Sequence, residues 1–376
     1  MNQMDWRRRR RLRFVAVLAG ACALVPWAGA GADESVTWAA RLAPAVEKID
    51  AQMPGTLGVY VGRPGGAGAY RRQANRRWYL SSTVKVPVAI AVLEQVDAGR
   101  LSLDDQLILR ESDFVDGAGD MLFQKPGTRH TIAKLLEKSL QDSDSTATDM
   151  LIRHLGEDHI NARIQEWTGG GFGRITTILQ VRYDVYGALH PEVEHLDNRQ
   201  IVSLRQAEAG EARLQALAKL LGVPRAALGR GSFDDAFEAY YRKGDNSATL
   251  DAFARLLDRL VGGELLSAGS TTRLLEHMRR ITTGDRRIQA GLPEGVDFIQ
   301  KTGTQVRRAC NLGVLDPARG REGTVVVVAC AEKFDALAQA EKAFSDLGRA
   351  LVEAGVIPVV ADDAARTGRS PPQSRR

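Results

Sequence analysis

Apolar runs of strand length stand at both ends of this chain, with helical patterns filling the space between, and no other feature limits its fold as much. Near the start, "GTLGVYVG" and "AYRRQ" read as two short strands around a glycine-rich turn, for which "GRPGGAGAY" supplies the residues. Near the other end, "DFIQKTG", "NLGVL" and "TVVVVA" read as strands. Helical spacing dominates from Thr131 to Leu155 and again from Leu250 to Leu260, where "DAFARLLDRLVGGELL" is strongly periodic. Amphipathic helices are also expected in "ESVTWAARLAPAVEKIDAQM" and from about Asp335 to Ala354. This arrangement predicts an α+β fold, with one antiparallel sheet built from both chain ends, flanking helices and an inserted helical lobe, and not a βαβ repeat. The sheet lobe would take residues 33–88 and 285–358, and the helical lobe residues 89–284. At 376 residues and 44% hydrophobic content, the chain has ample material for such a core.

The net charge of +5 suggests a basic protein until the charges are located. Residues 1–32 hold six arginines, Arg7 to Arg11 and Arg13, against one acid, Asp5, for a net +5. The remainder is therefore balanced near zero, and nothing argues for a nucleic-acid partner. The same segment has an apolar run from Phe14 to about Leu24 and then small residues, Ala28-Gly29-Ala30 and Ala30-Gly31-Ala32. That is the order of a signal peptide, cleaved near Ala32, which implies export to the periplasm or beyond with no stable membrane anchor afterwards. The tail at 359–376, with "TGRSPPQSRR", is polar and contains proline, and is expected to be disordered.

Export makes the cysteines informative. Cys310 precedes "NLGVL" and Cys330 ends "GTVVVVAC", two runs joined by a turn near residue 320. Antiparallel pairing about that turn sets the two thiols opposite each other. A cross-strand disulfide and a pair of buried free thiols are both compatible with the sequence.

The stretch "WYLSSTVKVPVAIAVLE" puts Lys85 among residues that a helix would bury. A buried ammonium is costly, so either its pKa falls or a partner is found. Ser82 lies three residues earlier and shares its helical face, whereas Ser81 has Val84 at that spacing. A lysine of lowered pKa can take the proton of a serine hydroxyl and make it a nucleophile. Two more fragments accompany this pair. "QDSDSTATDMLI" carries Ser143-Asp144-Ser145 at a break before a helix, and "FIQKTGTQ" carries Lys301-Thr302-Gly303-Thr304 on a late strand.

In order and separation the three pieces resemble the Ser-x-x-Lys, Ser-Asp-Asn and Lys-Thr-Gly elements of the class A β-lactamase and penicillin-binding protein superfamily, over roughly residues 36–356. The resemblance implies that Ser82 attacks a lactam carbonyl, that Lys85 accepts or relays its proton, and that Ser143 passes a proton to the departing nitrogen. It implies that Lys301 attracts a substrate carboxylate, that Thr302 and Thr304 hydrogen-bond it or the acyl side chain, and that backbone N–H groups of Ser82 and Thr304 receive the oxyanion. Gly303 completes the strand motif, and Asp144 would serve local structure.

Two departures stand out. Ser145 occupies the place of the motif's asparagine, and a hydroxyl neither reaches as far nor donates twice. The glutamate that activates the deacylating water in class A enzymes, on an omega loop, has its best local match in "RYDVYGA", where Asp184 would be the base and Ala188 replaces an asparagine. The loop would be enlarged, spanning about 182–246, with residues 190–244 as an insertion. Glu192, Glu194 and Asp197 in it are either substitute bases or solvated surface charges. Arg182 would close the loop neck by pairing with an acid such as Asp245.

His154, His159, His190 and His195 form no metal-binding pattern, so neither metal nor organic cofactor is expected. The leading expectation is an exported serine hydrolase, monomeric by default, that opens β-lactams. Its alternatives are a peptidase or esterase acting on peptidoglycan-like substrates and a penicillin-recognising module that acylates once and stays closed.

Overall fold

In the late strand "VVVVACAE" the side chains alternate between two cores. Val325, Val327, Ala329 and Ala331 face one apolar cluster, and Val326, Val328 and Cys330 face another. A strand buried on both faces must lie inside a sheet covered by helices on each side. The computed structural model of the chain, which describes residues 30–65, 68–229 and 231–357, has that architecture. The expected leader, apart from its last three residues, and the expected tail lie outside the described residues.

Helix α1 (Ala30–Gln52) leads into strands β1 (Thr56–Gly62), β2 (Ala69–Arg72) and β3 (Arg77–Tyr79), a 3₁₀ turn at Ser81–Val84, and helix α2 (Lys85–Asp97). A small ribbon of β4 (Gln106–Ile108) and β5 (Arg129–Thr131) precedes α3 (Ile132–Leu140), α4 (Ser145–Leu155) and α5 (Glu157–Thr168). Then come α6 (Ile178–Gly187), α7 (Asn198–Ser203), α8 (Glu211–Leu221) and α9 (Phe233–Lys243), and β6 (Ser247–Thr249) pairs back onto β3. Helices α10 (Leu250–Val261) and α11 (Ala268–Arg279) follow. The chain continues through β7 (Phe298–Gln305), β8 (Arg308–Leu315), the single turn α12 (Gly320–Gly323), β9 (Val325–Glu332) and α13 (Leu337–Glu353).

The main sheet runs β2-β1-β9-β8-β7 with every pair antiparallel, so its strands come from both ends of the chain. On one face, Trp38, Leu42 and Val46 of α1 and Phe344 and Leu347 of α13 cover Leu57, Val59 and Val327. On the other, Ile299, Leu312 and Val328 join the core around α2, whose residues Lys85 to Leu93 are all buried. A helix apolar on every side belongs in the middle of a domain, and α2 has that position. Register sets Cys310 opposite Cys330, and the two form a disulfide. Among the described residues no helix is long and apolar enough to cross a membrane.

The stretch from α6 to α9 covers nearly all of the region, about 182–246, where an enlarged omega loop is expected. It folds as helices around a separate core in which Val181, Val185 and Tyr186 of α6 pack with Leu214, Leu217, Phe233, Phe237 and Tyr240. The apolar positions of "EARLQALAKLL" and "FDDAFEAYYRK" recur at helical spacing, and burying them together holds this segment in a defined shape. Tyr79 belongs to the same cluster, which ties it to the chain just before Ser82.

Candidate active site

The site begins where β3 ends. Ser81 adopts a left-handed backbone with φ of 50°, which costs a non-glycine residue roughly 1–2 kcal/mol. The bend turns the chain from the strand into the 3₁₀ turn that carries Ser82 and then into α2. Lys85 N donates to Ser82 O at the end of that turn, which sets the two residues one turn apart. The chain makes the same kind of bend at Ser143, φ 55°, between α3 and α4. Asp144 next to it caps α4 through Ala147 N (2.8 Å) and also accepts from Met121 N (2.9 Å), a local structural task.

These two bends meet at Ser143. Lys85 Nζ donates to the Ser143 carbonyl and, at 3.2 Å, to Ser143 Oγ. Lys301 Nζ donates to the same hydroxyl at 3.0 Å and to Thr302 O at 3.1 Å. Both lysines are fully buried, so two groups that water would keep protonated converge on one hydroxyl away from water. Burial lowers Lys85 to about 7, against the opposing pull of Asp144 and Asp149. Burial, and then the nearby charges of Lys85 and Arg287, push Lys301 well below its ordinary range. A lysine near 7 is divided between amine and ammonium at neutral pH and can both accept and return a proton.

Strand β7 closes the other side. A Cβ on Gly303 would lie 2.5 Å from Leu80 O and 3.0 Å from Ser82 N, so only glycine lets the strand approach the Ser82 turn. Arg287 packs against β7 with its guanidinium largely buried. It donates to Gly303 O (3.0 Å), Cys310 O (2.7 Å) and Thr304 Oγ1 (2.5 Å), and burial lowers it to about 10. Thr302 Oγ1 bonds Thr283 Oγ1 at 2.6 Å. A cleft of about 500 Å³ opens onto Ser82, Ser143, Ser145, Thr302, Gly303 and Thr304, with Arg287 at its edge.

Ser82, Lys85, Ser143, Ser145, Lys301, Thr302, Gly303 and Thr304 are thus gathered at one cleft. Asp184 is not. On α6 the residues that line the cleft are Ile178, Val181 and Arg182, whereas Asp184 shares the opposite face with Gln180 and Gly187. Its carboxylate is held by Lys243 Nζ (2.7 Å) and Gln180 Nε2 (3.0 Å). The role of water-activating base does not fit that position, because α6 turns residue 184 away from the cleft. Replacing Asp184 with asparagine is therefore expected to leave the release of an acyl group unchanged within twofold, as followed by mass spectrometry of the adduct. Glu192 and Glu194 are exposed beside His195, and Asp197 caps α7 through Gln200 N (2.8 Å). Arg182 pairs with Asp116, not with Asp245, whose near cation is Lys243 at 3.8 Å.

Sequence reasoning missed Arg287, Thr283, Tyr79 and Asn246 as neighbours of the cleft. Asn246, buried with φ of 49°, accepts from Thr176 N (3.1 Å) and donates to Tyr240 OH (2.9 Å), joining the α6 and α9 ends. Asp149, fully buried on α4, accepts from Ile178 N (2.7 Å) and Leu179 N (2.9 Å) and so fixes the start of α6 over the cleft. Burial pushes its carboxyl up to about 6.

A family model described as the β-lactamase enzyme family matches residues 41–354. The chain belongs to that family. This β-lactamase-family protein is 27% identical to a β-lactamase of Mycobacterium tuberculosis over 306 residues, covering 81% of this chain and 82% of the relative. Against a β-lactamase of Citrobacter koseri the figures are 26% over 297 residues, 79% and 81%. Among solved structures, a β-lactamase from Sphaerobacter thermophilus is 27% identical with a TM-score of 0.60, covering 85% of this chain and all but 1% of the other. An acyl-enzyme complex of a PBP-A variant with penicillin G shares the fold, with a TM-score of 0.62, 21% identity and coverage of 84% and 96%. The chain is a serine hydrolase of the β-lactamase type, built on the α+β fold of that family.

Proposed function

We propose that this protein opens β-lactam amides through an acyl-enzyme on Ser82. The observation that carries the reading is the convergence of two buried lysines on Ser143 beside the Ser82 turn. The Ser82 oxygen bonds to the lactam carbonyl carbon while its proton passes to the neutral amine of Lys85. Backbone N–H groups of Ser82 and Thr304 receive the oxyanion. The C–N bond then breaks as the Ser143 hydroxyl protonates the nitrogen, and the Lys85 ammonium restores the Ser143 proton. Lys301, Thr302, Thr304 and Arg287 together suit a substrate carboxylate at the β7 end of the cleft.

Release of the acyl group is the slower half of this cycle. The α6 wall facing the cleft offers Ile178, Val181 and an already paired Arg182, and the acids lining the cleft, Asp285 and Glu341, lie on the Arg287 side. Stopped-flow mixing with a chromogenic cephalosporin is expected to show a burst near one equivalent, then steady turnover at least tenfold slower, with an adduct mapped to Ser82. The Ser82→Ala variant gives neither. Turnover without a burst would require a water-activating carboxylate near Ser82, and turnover by Ser82→Ala would remove the mechanism. A persistent adduct without turnover would favour the alternative, a penicillin-binding role on peptidoglycan-like substrates.

The arginine-rich start and the apolar run after it support export and cleavage near Ala32. Sequencing the N-terminus of the exported protein tests that, with the mature chain expected to start at about residue 33.

A further inference from the structure

The loop between Phe114 and Met121 is pressed onto the start of α4. Ser145 N donates to Ala118 O at 3.0 Å, and Met121 N donates to Asp144 Oδ2 at 2.9 Å. A Cβ on Gly117 would stand 2.3 Å from Ser145 Oγ, and one on Gly119 would stand 2.0 Å from Asp144 Oδ2. Both glycines have positive φ, 147° and 92°, so the loop follows a path that side chains would forbid. The small Ser145, where the motif usually has asparagine, and the backbone of Gly117 therefore share one space. An amide side chain at 145 would meet that backbone.

Asp116 of this loop reaches across to α6. Asp116 is paired with Arg182 Nε, and both side chains keep only 11% of their surface exposed. The second guanidinium nitrogen of Arg182, Nη1, is buried without a partner. Shielding from water strengthens such a pair and makes loss of one member costly. The two segments it joins both line the cleft, Gly117 and Ala118 from the loop and Ile178, Val181 and Arg182 from α6. This is the end away from Arg287, where the acyl side chain of a lactam lies if its carboxylate sits at β7.

We infer that the Asp116–Arg182 pair is a bridge between these two segments that sets how large an acyl side chain the cleft accepts. Asp116 and Arg182 are positioning residues in this role. The 114–121 loop cannot retreat while the pair holds it to α6, and α6 cannot move away because Asp149 fixes its first N–H groups. Substrates with a small or absent acyl group are favoured over those with a bulky aromatic one. The inference rests on the reading that β-lactams acylate Ser82.

The test compares acylation rate constants, by mass spectrometry, for benzylpenicillin and for penicillanic acid, which lacks the acyl side chain. Asp116→Asn is paired with the double variant Asp116→Asn/Arg182→Gln, which leaves no unpaired buried charge and so protects the fold; near-ultraviolet circular dichroism checks each. The expected result is a rise of at least fivefold in the benzylpenicillin to penicillanic acid ratio in both. A ratio within twofold of the parent in the folded double variant overturns the bridge while leaving the Ser82 reading intact. An unmodified parent protein with both probes overturns the two together.

Discussion

Replacing Lys85 with methionine is expected to slow acylation of Ser82 by about a hundredfold to ten-thousandfold, the usual range for loss of a positioned base. Methionine fits the apolar surroundings of α2 and removes the amine, with a sulfur in place of one methylene. Lys85→Arg should be nearly as slow, because a guanidinium stays protonated and cannot take the Ser82 proton. The parent protein gives the complementary signature. With Lys85 lowered to about 7 by burial, the acylation rate should rise about tenfold per pH unit below that value and level off above it. Stability follows the same group with a definite sign. The unfolded chain holds the Lys85 proton up to about 10.4, whereas the folded chain gives it up near 7. Between those limits the unfolded state binds more protons, so this lysine makes the fold more stable as pH rises from about 7 toward 10. Mass spectrometry of penicillin adducts from pH 5 to 9 reads the rate. A flat profile, or a Lys85→Arg variant as fast as the parent, would assign the proton transfer elsewhere.

Much of this site was legible in the sequence because its chemistry is local. Ser82 and Lys85 must stand one turn apart, Ser143 must stand at a break before a helix, and Lys301 to Thr304 must run along one strand; each requirement leaves a short pattern. The sheet was legible for a similar reason, since runs such as "TVVVVA" have no other stable use. What was not legible depends on packing between distant segments. Arg287 matters because a strand sixteen residues later folds against it, and Asp116 matters because α6 passes beside it. Asp184 was misplaced because residues from about 182 onward were read as an omega loop. A loop leaves the direction of residue 184 open, but a helix that turns Ile178, Val181 and Arg182 to the cleft must turn Asp184 away. The insertion was visible as extra length, and its amphipathic helices with their own core were obscured by the expectation of a loop.

Gly303→Ala should nearly abolish acylation while leaving Lys85 and Ser143, which lie off β7, in place. The added carbon would stand 2.5 Å from Leu80 O, 2.9 Å from Ser81 Cβ and 3.0 Å from Ser82 N. Two of those three are backbone atoms, and the turn they belong to is held from the other side by the Leu80 N to Asn246 O bond of 2.9 Å. The turn cannot yield, so β7 must. Its outward shift carries Thr304 N, next in the strand, away from Ser82 N and widens the gap that would receive the oxyanion. Loss of one such donor costs about a hundredfold to a thousandfold in rate. The strand is also anchored by eight register pairs with β8 and by Arg287 on Gly303 O, so the sheet persists and thermal unfolding should remain cooperative. The discriminating measurement is the acylation rate at saturating penicillin beside the affinity for the same ligand. A fall confined to affinity would mean that Thr304 N only binds substrate, whereas a fall in the rate constant at saturation assigns it to the oxyanion that forms as Ser82 attacks.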